Sequence, residues 1–87
     1  MTIGEFWGHV TTLCNIYDGR VSGGPRSPHH NRILGGVANS FHLVGLAADL
    51  VLRDWHDIAA LVTTADRLGI RVIDEVLEKG HLHLQPK

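Results

Sequence analysis

The sequence predicts an α+β fold: a small, mainly antiparallel sheet flanked by two helices. Two stretches, residues 3–16 and the run after Asp54, repeat apolar residues at helical spacing. Several short runs, the clearest being Ala47 to Leu52, have the length and apolar content of strands. Helices and strands do not strictly alternate, which argues against a parallel sheet built of βαβ units. With 87 residues and no linker or internal repeat, a single domain over residues 1–87 is expected.

Thr2-Ile3-Gly4-Glu5 has the form of a capping box, with Thr2 as N-cap and Glu5 reaching back. Phe6, Val10, Leu13 and Cys14 follow on one helical face. Gly19 ends this region, and Arg20 to Gly23 suits a short strand. From Gly24 to Ser40 the chain is rich in Gly, Pro, Ser and Asn, and regular patterning stops; such a long irregular segment is usually functional or disordered. Ala47 to Leu52 reads as a buried strand interrupted by Asp49. Asp54 caps a second helix with Ile58, Leu61, Val62, Ala65 and Leu68 turned inward, and Gly69 stops it. Val72 to Glu78 and His81 to Gln85 read as two strands joined by a tight Lys79-Gly80 turn.

The composition, 44% hydrophobic and 20% charged, is ordinary for a globular protein. A net charge of -1 with scattered basic residues excludes a broad nucleic-acid footprint. No apolar stretch is long enough for membrane insertion, and the N-terminus lacks the basic start and apolar run of a signal peptide. Synthesis in the cytoplasm is therefore expected. The one cysteine, Cys14, lies on the apolar helix stripe and is expected to act as a small buried hydrophobe. Trp7 and Trp55 are expected at the core edge, and His9, His56 and the His29-His30 pair at the surface. Gly35-Gly36 is not followed by Lys-Ser/Thr, so a P-loop is unsupported.

Seven histidines in so short a chain direct attention to acid–base and metal chemistry. His81 and His83 in Gly80-His81-Leu82-His83 share one face of a strand, while Leu82 and Leu84 turn to the core. Asp49 is a lone charge between Ala48 and Leu50, and a buried carboxylate needs a cation, either a metal or an arginine. His42 lies just before that strand. Catalytic zinc takes three N or O ligands and keeps one position open, lowering the pKa of its water and polarising a carbonyl. His42, Asp49 and one of the C-terminal histidines supply such a set.

Ser22-Gly23-Gly24-Pro25-Arg26-Ser27, Asn31, Gly35-Gly36 and Ser40-x-His42-x-x-Gly45-x-Ala47-x-Asp49, followed by His81-x-His83, resemble the signature of zinc D-Ala-D-Ala peptidases of the M15 type. The resemblance runs from about Ser22 to Gln85. It implies the fold shared by these peptidases and the hedgehog signalling domain. It also implies Zn2+ held by His42, Asp49 and His83, and a peptidoglycan peptide as substrate, cut at a D-Ala-D-Ala or L-Ala-D-Glu link. His81 would stand near the attacking water. Arg26 would stabilise the oxyanion or bind substrate, Ser40 would help to seat it, and Asn31 would orient the long loop. Many members are phage endolysins, so action on the cell wall after lysis or delivery is expected.

One departure matters. Many members place an acidic residue immediately before the His-x-His, where this chain has Gly80. A two-residue turn at Lys79-Gly80 sets Glu78 opposite His81, with Cβ atoms about 5 Å apart, and makes Glu78 the expected general base. A register slip of one residue favours Glu75 instead. Proline replaces the usual aromatic before Arg26, which bears on substrate choice. The alternative function is a catalytically impaired zinc-containing module that binds the cell wall or serves as a structural part of a phage or secretion particle.

Overall fold

The computed structural model of the chain describes residues 1–23 and 45–87. In chain order these form α1 (Ile3–Tyr17), β1 (Gly19–Gly23), β2 (Ala48–Leu52), a 3-10 turn (Trp55–Asp57), α2 (Ile58–Arg67), β3 (Ile70–Glu75), α3 (Val76–Lys79) and β4 (His81–Pro86). The architecture is α+β, with a four-stranded antiparallel sheet in the order β1-β2-β4-β3.

The capping box forms: Thr2 N donates to Glu5 Oε1 at 2.9 Å, and Glu5 N to Thr2 Oγ1 at 3.1 Å. That end-stop sets the phase of α1, so Phe6, Val10 and Leu13 face the sheet. The core is one cluster in which these residues, with Leu61 and Ala65 of α2, meet Ala48, Leu50, Leu52, Ile70, Leu82 and Leu84. Burying each leucine fully contributes about 1.5–3 kcal/mol. Trp7, Cys14, Trp55, Ile58 and Leu68 pack around its margin, whereas Val62 is 41% exposed and does not join the inward face of α2. Trp7 Nε1 also donates to Gly45 O at 2.8 Å, tying α1 to the approach to β2. Burial pushes the Cys14 thiol pKa up. His56 is exposed and paired with Asp54, while His9 is half-buried.

The connection between the last two strands differs from the expected hairpin. The chain leaves β3 at Glu75, makes the helical turn α3, and re-enters the sheet at His81. Asp74 Oδ1 accepts from Val76 N at 3.0 Å, and Gly80, at φ 76°, closes the turn by donating to Val76 O at 2.9 Å. A two-residue hairpin turn demands a left-handed backbone or a glycine at its first position, which Lys79 does not favour. Leu77, Glu78 and Lys79 instead favour helix, and glycine serves the left-handed stop. The partner of His81 therefore moves from Glu78 to Glu75. The shift is by three residues, an odd number, so the two faces of β3 exchange.

The packing predicts that Leu82→Ala, which empties a fully buried position in a central strand, costs about 2–5 kcal/mol. Urea unfolding checks this; a loss well under 1 kcal/mol would mean that the core closes around the gap.

Candidate metal centre

Strand alternation builds the site. On β4, Leu82 and Leu84 are fully buried, and His81, His83 and Gln85 occupy the opposite face. The ladders then choose their neighbours: Asp49 of β2 pairs with His83, and Glu75 of β3 with His81. Directly opposed residues project to the same side of a sheet, so two carboxylates and two imidazoles converge there.

His83 Nδ1 lies 3.2 Å from Asp49 Oδ1. His81 Nε2 lies 3.2 Å from Glu75 Oε1 and 3.6 Å from Asp49 Oδ1. The four side chains are only 16–22% exposed, so their charges are partly desolvated and need compensation. Lys79 Nζ supplies some, 3.3 Å from Glu75 Oε2. Protons supply more. Hydrogen bonding to Asp49 raises the His83 pKa, burial opposes the rise, and the hydrogen bond to Gln85 adds to it.

A divalent cation would replace protons in this role, and the donor set fits one. Ligand distances of about 2.0–2.2 Å put neighbouring donors of a tetrahedral zinc site about 3.3 Å apart. The Asp49–His83 and Asp49–His81 separations are close to that edge length. Donor atoms of Asp49, Glu75 and His81 all lie within 4.8 Å of one another. Oxygen and imidazole nitrogen are donors that zinc accepts.

The β1 edge adds a constraint. Gly23 pairs with Asp49 after a bulge between Val21 and Gly23. Ser22 Oγ donates to Asp49 O at 3.2 Å. A Cβ on Gly23 would stand 2.8 Å from Asp49 Oδ2, so the Ser22-Gly23 pair leaves room for the carboxylate.

Of the residues expected at the site, Asp49, His81 and His83 are brought together. His42, Arg26, Asn31 and Ser40 lie outside the described residues, as does the His29-His30 pair. The expected register is corrected: Glu78 is exposed on α3 and does not oppose His81. Glu75 takes that place. Gly80 now has a conformational reason, since its left-handed backbone favours glycine over an acidic residue. Sequence reasoning missed Gly23 and Gln85. Gln85 had a signal, because counting by two from His83 lands on it. Gly23 stood within the Ser22-to-Ser27 motif, but nothing in the sequence showed what its missing side chain makes room for.

The Peptidase M15 family model matches residues 5–85, and the chain belongs to that family. No curated protein and no solved structure matches the chain.

The raised His83 pKa gives a signed prediction for the metal-free protein. The folded state binds this proton more tightly than the unfolded chain does. Its stabilisation is complete below the ordinary histidine pKa of about 6.5 and is lost as pH rises through the raised folded value. Unfolding free energy measured in chelator should fall with pH across that window. Asp49→Asn should flatten the slope; an unchanged slope would separate Asp49 from the effect.

Gly23→Ala should displace the Asp49 carboxylate and lower the affinity for added zinc by at least about tenfold, on the scale seen when groups supporting metal ligands are lost. Competition against a chromophoric chelator measures it, and unaltered affinity would show that the carboxylate does not need that space.

Proposed function

We propose that the chain is a zinc-dependent peptidase that hydrolyses a peptide bond in bacterial peptidoglycan stem peptides. The supporting observation is the placement of Asp49 beside His83, with Glu75 and His81 in the adjoining pair, on the sheet face opposite the core. Family membership supplies the peptidase class. The resemblance of Ser40-x-His42-x-x-Gly45-x-Ala47-x-Asp49 and His81-x-His83 to the zinc D-Ala-D-Ala enzymes supplies the metal and the substrate.

In this reading His42, Asp49 and His83 hold zinc. When bound, the ion acts as a Lewis acid that acidifies water and polarises the scissile carbonyl. The protein's own groups manage the protons. Glu75 takes one from the attacking water as the carbonyl carbon–oxygen bond forms, and delivers it to the departing amine nitrogen as the carbon–nitrogen bond breaks. His81, 3.2 Å from Glu75, orients that carboxylate and stands beside the developing negative charge. Arg26 stabilises the same charge or seats the peptide. The products are a carboxylate and an amine.

The test is digestion of purified muropeptides bearing D-Ala-D-Ala or L-Ala-D-Glu links, with and without chelator. Cleavage that stops with chelator and returns with zinc is expected; no cleavage of either by zinc-loaded protein would end the proposal. Glu75→Gln should lower kcat about 10²–10⁴-fold, and Glu78→Gln should leave it near wild type. The reverse ranking would return the base to the exposed turn.

A further inference from the structure

We infer that Gln85 is a positioning residue that sets which nitrogen of His83 is free to bind the metal. The role goes beyond the proposed function and rests on its reading of His83 as a ligand. A neutral imidazole carries one proton, and only the nitrogen without it offers a lone pair to a cation. His83 Nδ1 faces Asp49 Oδ1 at 3.2 Å, and Nε2 lies 2.9 Å from Gln85 Oε1. An amide oxygen accepts and cannot donate. With a cation seated between Nδ1 and Asp49, the Nδ1 lone pair is committed to it and the amide oxygen accepts a hydrogen bond from the one remaining proton, on Nε2, which holds the ring in that orientation.

The fold makes this contact local and firm. Residues 83 and 85 lie two apart on a strand paired on both sides, so they share a face. Gln85 is half-buried, and its neighbours Leu84 and Pro86 continue the β4 ladder to Val72 and Ile70. An amide also suits the charge. Asp49 and Glu75 already bring two carboxylates to this face, and glutamine fixes the ring without adding a third. Outer hydrogen bonds of this kind orient ligating histidines in metal sites generally, and losing one typically weakens metal binding about 10–100-fold.

The experiment uses the 87-residue chain and two variants. Gln85→Met keeps the length and removes the acceptor. Gln85→Glu keeps an acceptor. Nitrogen-15 NMR of zinc-loaded wild type should show the proton of His83 on Nε2. Gln85→Met should lose that bias and Gln85→Glu should retain it. Zinc affinity, by competition with a chromophoric chelator, should fall about 10–100-fold in Gln85→Met and recover in Gln85→Glu. A wild-type proton on Nδ1, or undiminished zinc affinity in Gln85→Met, would overturn the role of Gln85 alone. If Gln85→Met does not fold, the wild-type tautomer still decides. Failure of wild type to bind zinc would overturn the zinc reading itself, and this role with it.

Discussion

An ionised aspartate in an apolar strand is tolerable only beside something that answers its charge, and the β2–β4 ladder puts His83 there. The pairing joins residues 34 apart in sequence, so no local propensity creates it. It exists because Leu82 and Leu84 bury on one face of β4, which commits His81 and His83 to the other. The hydrophobic core thus fixes the register, and the register fixes the chemistry. A slide of one residue would turn both imidazoles into the core.

The same dependence explains why the site is spread over several strands yet compact. β1 contributes a glycine that makes room, β2 a carboxylate, β3 a second carboxylate and β4 the two imidazoles and an amide. β2, β3 and β4 are held by Ala48, Leu50, Leu52, Ile70, Leu82 and Leu84 against α1 and α2. The polar groups add little cohesion of their own while metal-free, because partly desolvated carboxylates and imidazoles trade Coulomb attraction against lost hydration. The fold holds the site together far more than the site holds the fold.

Much of this was legible in the sequence where one periodicity ruled. The capping box, the α1 stripe and the alternation along His81 to Leu84 follow from local steric rules and were read directly. Asp49 stood out as a charge in an apolar run. The loss came at the β3–β4 connection, where two local preferences compete over five residues. Gly80 marks a turn in either case, and only the capping contact from Asp74 and the helical tendency of Leu77-Glu78-Lys79 decide for the longer one. That choice inverted the faces of β3 and with them the identity of the carboxylate beside His81. Gly23 was illegible for another reason: a missing side chain reveals its purpose only when the neighbour that would collide with it is in place.

Strand order carries a consequence for how the centre comes into being. β4 follows β2 and β3 in the chain but lies between them in the sheet. During synthesis, β2 and β3 leave the ribosome with the edges that will face each other still bare. β4 must enter that slot before His83 meets Asp49 or His81 meets Glu75. The four-residue cluster is therefore a late product of sheet assembly, completed only when the middle strand is in place.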